Sequence, residues 1–237
     1  MRMLTKVVAA ISAVSAITAA GAYTVSPLRI ALTPSGAGTS GRVTITNSEA
    51  QPITVAFKTL KNSVDAQGKL TPTPAGGELV VFPPRAVIQP GKSQSLQVRY
   101  TGAPSLGAGL YSIHVAQVPV NSTQGQAQIK VATEFYIAAL VQPNDASANM
   151  QVKGTSRSAD GTVIVTIENS GTGIGRMSSG TWTARSGSTD KPVEANAFEF
   201  GDTAYIMPGS TRTIRLKPEA AASLGTVDAM TFTAHQN

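Results

Sequence analysis

The sequence predicts an all-β protein built from two β-sandwich domains. Short runs rich in valine, isoleucine, threonine and aromatic residues alternate with glycine, proline, asparagine and serine, which is the pattern of strands joined by turns. The clearest runs cover residues 43–46, 53–60, 79–82, 110–118, 163–167 and 211–217. This spacing is typical of sandwiches rather than of helical layers. Only PEAAASL, residues 218–224, is predicted to be helical, with Pro218 in its first turn.

A tight corner separates two of these runs in FPPRAVIQPGKSQSLQVRY, residues 82–100. Proline fixes φ and removes a backbone donor, so Pro90 and Gly91 fit the centre of a turn. The residues after the corner alternate between polar and apolar, which is the period of a strand with one buried face. The stretch is therefore predicted to be strand, corner and strand.

The same plan occurs twice along the chain. IMPGSTRTIRLK, residues 206–217, repeats the Pro-Gly corner and the strand after it. VTITNS, residues 43–48, is likewise repeated as VTIENS, residues 165–170, at a similar distance from its corner. A repeated supersecondary plan predicts two domains of one fold, and we expect two immunoglobulin-like sandwiches.

Residues 1–22 have the composition of a secretory signal peptide. A basic start, MRMLTK, precedes a 14-residue apolar run, and Ala20 and Ala22 stand in A-x-A register before Tyr23. The run is shorter than the roughly 20 residues of a membrane-spanning helix. The mature protein is therefore expected to be exported and soluble, and not embedded in a membrane.

The break between the two domains is predicted in QPNDASAN, residues 142–149, where a long apolar run stops and polar turn-formers follow. This gives a first domain of residues 23–143 and a second of residues 144–237. The chain has no cysteine, so the stability of each domain must come from its own core.

Positive charge is concentrated in the first domain. Residues 23–143 contain nine lysines or arginines and four acidic residues, whereas residues 144–237 contain eight and nine. The basic residues are scattered singly and aromatic residues are few, so the sequence does not predict nucleic-acid binding.

The sequence does not predict an enzyme, a metal site or a cofactor. His114 lies inside an apolar alternating strand and is interpreted as structural, and His235 lies near the C-terminus. No serine stands in a G-x-S-x-G elbow, and no group of histidine, aspartate and glutamate has ligand spacing. GTGIG, residues 171–175, is followed by no helical periodicity, so it is interpreted as a glycine-rich loop rather than a dinucleotide site.

The stretch AQIKVATEFYIAALVQP, residues 127–143, alternates for about fourteen positions, well beyond the usual strand length of about five or six. A polar connection precedes it, and one face forms an apolar row of Ile129, Val131, Thr133, Phe135 and Ile137. Proteins usually protect long apolar edge strands with charges or prolines. The row is therefore either covered by its own domain or presented to a partner.

Five segments, in order along the chain, resemble the periplasmic chaperones of the chaperone-usher pilus pathway: YTVSPLRIAL, VFPPRAVIQPGKSQSLQVR, LYSIHVAQVPV, EFYIAALVQP and MPGSTRTIRL. The resemblance implies two immunoglobulin-like domains in a boomerang arrangement. It also implies that the chain binds nascent pilus or fimbrial subunits in the periplasm and delivers them to an outer-membrane usher. The strand matching Ile129 to Ile137 would be donated into the incomplete sandwich of the subunit.

The same resemblance implies an anchor for the C-terminal carboxylate of the subunit. The family uses an arginine on the first strand, which Arg29 matches, and a lysine on the donor strand, where this chain has Ala138. Lys130 is a candidate for a second charge contact. The charged residues that link the two domains in the family are replaced by SLGAG, residues 105–109, and by Gln142, which indicates a diverged branch.

Two other functions remain open at this stage. A two-domain envelope module, with a ligand-binding or structural role, would share the fold, since fold alone does not fix function. A pilus subunit or adhesin would also be exported and immunoglobulin-like, but it is expected to carry an N-terminal donor extension and one incomplete sandwich.

Overall fold

The structure, a computed structural model, describes residues 23–105, 107–118 and 133–235. The predicted signal peptide lies outside these residues, as do Ile129, Lys130 and Val131. Two separate hydrophobic cores are present, one formed by residues 23–141 and one by residues 148–232. The predicted all-β fold with two sandwiches is confirmed, while the domain boundary itself stays a prediction.

The first sandwich is assembled from ten strands within the described residues. They are β1 (Tyr23–Ser26), β2 (Arg29–Leu32), β3 (Ser40–Asn47), β4 (Ile53–Val64), β5 (Leu70–Pro74), β6 (Leu79–Phe82), β7 (Arg85–Ile88), β8 (Ser93–Tyr100), β9 (Gly109–Gln117) and β10 (Glu134–Val141). One sheet has the order β1-β3-β8-β6, and the other has the order β2-β10-β9-β4-β5 with β7 also on β4. The chain therefore changes sheets between β1 and β2, which places β2 beside β10 in a parallel pair.

The second sandwich follows with nine strands and one helix in the described residues. They are β11 (Met150–Arg157), β12 (Val163–Asn169), β13 (Gly175–Arg176), β14 (Thr181–Ser186), β15 (Thr189–Val193), β16 (Phe198–Glu199), β17 (Tyr205–Ile206), β18 (Ser210–Leu216), α1 (Pro218–Leu224) and β19 (Ala229–Thr233). Its sheets have the orders β11-β12-β18-β16, β15-β14-β19 and β13-β17.

The repeated sequence plan corresponds to a repeated set of hydrogen bonds. Asn47 and Asn169 end equivalent strands, and both side chains are fully buried. The backbone carbonyl of Asn47 accepts from Gly91 at 3.0 Å, and that of Asn169 accepts from Gly209 at 2.8 Å. Both glycines have positive φ, 67° and 68°, which a turn of this type requires. Each asparagine carbonyl therefore hydrogen-bonds a Pro-Gly corner to the end of the preceding strand.

Replacing Asn169 with alanine is expected to destabilise the second sandwich. Its side-chain nitrogen donates to the carbonyl oxygens of Gly173 and Ile206 at 2.8 and 3.2 Å, and its oxygen accepts from the amide of Gly171 at 3.1 Å. Buried groups left without partners should cost about 2 to 4 kcal/mol of unfolding free energy. Urea denaturation measures this loss. The control is the exposed Asn196→Ala, and equal stability of the two variants would contradict the prediction.

A polar cluster lies beside the first core. The hydroxyl of Tyr111, whose side chain is fully buried, donates to Glu78 at 2.6 Å, and Lys61 donates to the same carboxylate at 2.9 Å. These hydrogen bonds, first from Tyr111 and then from Lys61, lower the pKa of Glu78 below its ordinary value. Burial raises the pKa of Tyr111, so its hydroxyl stays protonated and remains a donor.

The stability of the first sandwich is expected to fall in acid as Glu78 takes up a proton. Because its pKa is depressed in the folded state, the carboxylate stabilises the fold above its ordinary pKa of 4.5, and this contribution is lost as the pH falls through the folded value. Thermal unfolding at pH values from neutral to below 4.5 measures the slope of the melting temperature against pH. Glu78→Gln should flatten it, and an unchanged slope in that variant would exclude Glu78 as the cause.

Candidate functional site

Within the described residues, one of the two edges of β10 is only half covered. On one side β10 pairs with β9 along its whole length. On the other side β2 pairs only with Ala138–Val141. Among the residues that the structure describes, no strand pairs with this side of Glu134–Ile137. In the described part of the chain, the first half of the strand therefore has an open edge.

Hydrogen-bond alternation shows which backbone groups face the open edge. The amide of Ala138 donates to the carbonyl oxygen of Leu28 at 3.0 Å, on the β2 side. The amide of Gln142 donates to Leu32, also at 3.0 Å and on the same side. Since successive residues of a strand direct their backbone groups to opposite sides, the N–H and C=O of Tyr136 face the open edge. An extended segment could therefore pair with β10 at this position.

Arg29 lies at the end of the open edge. It is the first residue of β2, its side chain is exposed, and its register partner on β10 is Ala138. The same row continues across the sheet through Ser112 on β9 to Leu60 on β4, so the neighbours of the guanidinium in this row are uncharged. In the described part of the chain, no salt bridge includes Arg29. Its positive charge can therefore bind an anionic group beside the open edge.

Comparison with known protein families establishes the family to which the chain belongs. The family model for the PapD N-terminal domain, of the pili and flagellar-assembly chaperones, matches residues 23–147, which is more than half of the chain. The chain belongs to this chaperone family. No curated protein matches its sequence.

Solved structures of fimbrial chaperones share the fold of this chaperone at low sequence identity. The YadV chaperone aligns with a TM-score of 0.59 and 14% identity, covering 90% of this chain and 91% of that chain. The Salmonella enterica SafB chaperone, solved with SafA pilin, gives 0.57 and 14%, with 90% and 96% covered. The CsuC–CsuE chaperone–tip adhesion subunit complex of Acinetobacter baumannii gives 0.58 and 14%, with 89% and 91% covered.

The apolar row predicted from the sequence begins outside the described residues and ends in the core of the chaperone. Ile129 and Val131 are not described, whereas Ile137 is 0% exposed and packs within the first core. Alternate residues share one face of a strand, so the row continues into Ala139 and Val141, which are also buried. The prediction that Ile137 is part of the donated row is therefore corrected, because this side chain stabilises the domain itself.

Thr133 and Phe135 lie in the row between Val131, which is not described, and the buried Ile137. Phe135 is partly buried against the first core and meets the ring of Tyr23 edge-on, with 5.0 Å between centroids. The hydroxyl of Tyr23 lies 2.8 Å from the carbonyl oxygen of Thr133 and 3.3 Å from that of Val115. Burial, with a smaller effect from the charge of Glu134, raises the pKa of Tyr23 to about 12. The hydroxyl therefore stays protonated and holds the start of β10 against β9.

His114 and Tyr136 form a stacked pair on the outer face of the sheet, beside the open edge. Their ring centroids are 4.6 Å apart and the planes differ by 14°. Nε2 of His114 lies 2.9 Å from a carboxylate oxygen of Glu134, while Tyr136 is 58% exposed. Sequence reasoning placed His114 inside an apolar strand; Ser112, two residues earlier on the same face, was the signal that this face is polar.

The described residues also bear on metal and membrane binding. In these ranges, no group of three histidine, cysteine, aspartate or glutamate side chains could hold a metal ion. No helix in the described part of the chaperone is both long and apolar enough to span a bilayer.

Proposed function

We propose that this chain is a periplasmic chaperone that binds pilus or fimbrial subunits and delivers them to an outer-membrane usher. The observation that carries the proposal is the open edge of Glu134–Ile137, with the exposed Arg29 at its end. An open edge supplies backbone groups for an incoming strand, and a guanidinium supplies a bidentate site for a carboxylate.

The two features together give the bound segment a direction. A subunit strand that pairs along Glu134–Ile137 and ends with its carboxylate at Arg29 must run toward Ala138. It therefore runs parallel to β10, as β2 does on the same side. The last strand of a subunit, carrying its free C-terminus, fits this arrangement.

Strand donation completes the proposed mechanism. Ile129, Val131 and Thr133, with Phe135 at the end of the row, fill the groove of the incomplete subunit sandwich. Each apolar side chain that is fully buried in this way should contribute about 1.5 to 3 kcal/mol. Lys130 is proposed as a second charge contact with the subunit. Membership of the chaperone family supports this mechanism, and the structure of SafB with a pilin supports a subunit as the partner.

Co-expression with candidate exported subunits, followed by affinity purification from a periplasmic extract, tests the proposed function. A small secreted subunit should be retained by the chaperone and recovered at a stoichiometric ratio. A second pull-down with the isolated N-terminal region of a candidate usher tests delivery. A monomer that never retains any subunit would instead support the envelope-module alternative.

A further inference from the structure

The tip of the β4–β5 hairpin is bound by the second sandwich. The amide of Thr213, on β18, donates to the carbonyl oxygen of Ala66 at 2.7 Å. The amide of Asp202 donates to Gly68 at 3.0 Å, and the amide of Leu70 donates back to the carboxylate of Asp202 at 2.9 Å. Three hydrogen bonds therefore connect a turn of the first sandwich to the second.

The hairpin tip is shaped by its own sequence before it meets the second sandwich. The carboxylate of Asp65 accepts from the amides of Gln67 and Lys69, both at 2.9 Å. Gly68 has a φ of +88°, a conformation that side chains disfavour. Its amide donates to the carbonyl oxygen of Asp65 at 3.0 Å. The turn is thus held in one conformation by local bonds.

Beneath the tip lies the guanidinium of Arg212, which is 1% exposed. It donates to the backbone carbonyls of Phe200 at 2.5 Å, Thr203 at 3.0 Å and Tyr205, while its Nε has no partner in the described residues. Burial lowers the pKa of Arg212, and the charge of Asp65 acts in the opposite direction. The three acceptors are neutral carbonyls, so the guanidinium is held mainly by dipoles and covered by the hairpin.

The contact between the hairpin tip and the second sandwich leaves no room for a side chain at Gly68 or Gly201. Gly68 is buried, and a Cβ added there would overlap the guanidinium of Arg212 and the carbonyl oxygen of Phe200. From the other side, a Cβ on Gly201 would lie 2.5 Å from the carbonyl oxygen of Gln67. The two backbones therefore meet at van der Waals distance on both sides of the contact.

A second contact joins the domains at the segment between them. The side-chain oxygen of Gln142 accepts from the amide of Ile174 at 2.9 Å. Gln142 and residues 105–109 are uncharged, although the sequence resemblance implies charged residues at these places. The connection between the domains thus consists mainly of backbone and amide hydrogen bonds.

We propose that residues 65–69 are a latch that docks into a socket around Arg212 and fixes the orientation of the two sandwiches. Because the β4–β5 hairpin belongs to the sheet that contains β10 and β2, the latch sets the position of the second sandwich relative to the open edge and Arg29. Screening by salt weakens interactions between separated, exposed charges, but it acts little on short hydrogen bonds and on buried charges such as that of Arg212. The latch therefore holds at high ionic strength.

Amide hydrogen exchange of the full chain tests the latch without any subunit. Gly68→Ala should raise the exchange rate of the Thr213 amide at least tenfold, while amides in the centre of β12 stay protected. The matched control is Gly76→Ala, since Gly76 also has a positive φ, +61°, but an added Cβ would meet nothing within 4 Å. Exchange at Thr213 that is unchanged in Gly68→Ala would overturn the proposal.

Asp202 provides a second pair of variants, which decides the question if Gly68→Ala does not fold. Asp202→Ala removes the acceptor for the Leu70 amide and should also accelerate Thr213 exchange several-fold. Asp202→Asn keeps a side-chain oxygen and should behave like the wild type. Equal acceleration in both variants, or acceleration of the wild type in about 0.5 M salt, would overturn a latch held by short hydrogen bonds in favour of a contact held by separated charges.

Discussion

Arg29→Ala is expected to lower the affinity for a pilus subunit at least tenfold, or about 1.4 kcal/mol, without lowering the melting temperature. Removing one partner of a desolvated charge pair costs about 2 to 5 kcal/mol. Because Ala138 stands opposite Arg29 where the family has a lysine, the expected minimum loss of about 1.4 kcal/mol lies below that range. Because Arg29 is exposed, its loss should change the free energy of unfolding by less than about 0.5 kcal/mol. Titration calorimetry with a purified subunit measures the affinity.

A subunit with an amidated C-terminus serves as the complementary reagent. It should bind wild type and Arg29→Ala equally weakly, since the amide removes the negative charge that Arg29 recognises. The matched control is Arg42→Ala, another exposed arginine of the first sandwich, which lies on the other sheet. If amidation leaves wild-type binding intact, Arg29 does not bind the carboxylate and docking depends on the strand alone.

Tyr136→Pro is expected to reduce subunit binding at least tenfold by removing a backbone donor from the open edge. Proline is tolerated on an edge strand where its missing N–H faces outward, so the pairing of β10 with β9 should persist. The acceptor on the subunit would lose its partner, which costs about 1 to 3 kcal/mol, and the proline ring would obstruct the approach of the strand. Pull-down and calorimetry report the loss, and circular dichroism reports the fold.

Tyr136→Ala separates the backbone effect from loss of the aromatic ring. It keeps the N–H but removes the stacking on His114. The amount by which Tyr136→Ala binds the subunit more tightly than Tyr136→Pro therefore measures the contribution of the backbone hydrogen bond. Equal binding by the two variants would contradict strand pairing at this edge. A second reference is Tyr205→Ala, a partly exposed tyrosine in the second sandwich, away from the open edge.

Much of the fold follows from local sequence alone, because strands, turns and helix starts depend on residues that are close along the chain. The runs at 79–82 and 218–224 appear in the structure with the predicted bounds, as β6 and α1. The Pro-Gly corners at 90–91 and 208–209 appear as turns with positive φ at each glycine. Proline restricts φ, and glycine widens the range of φ that the backbone can adopt. Both effects are local, so they can be predicted without knowledge of the rest of the molecule.

The candidate site could be predicted only in part. The sequence resemblance pointed to Arg29 and to Ala138, and the parallel pair of β2 with β10 places them side by side. The row that ends at Ile137 was recognised by its alternation. That alternation gives the period of a strand but not which face meets the core, so it could not show that Ile137 belongs to the chaperone's own interior.

The sequence by itself determined the strand-rich fold, the repeated corners and the apolar alternation, since each of these arises from neighbouring residues. Tertiary structure decided which edge of β10 stays open, because that depends on where β2 ends after the chain changes sheets. It also decided the contact between Gly68 and Arg212, residues that are distant in the chain and meet only when both sandwiches are folded. Pairings across such distances depend on the packing of whole sheets, and no local pattern encodes them.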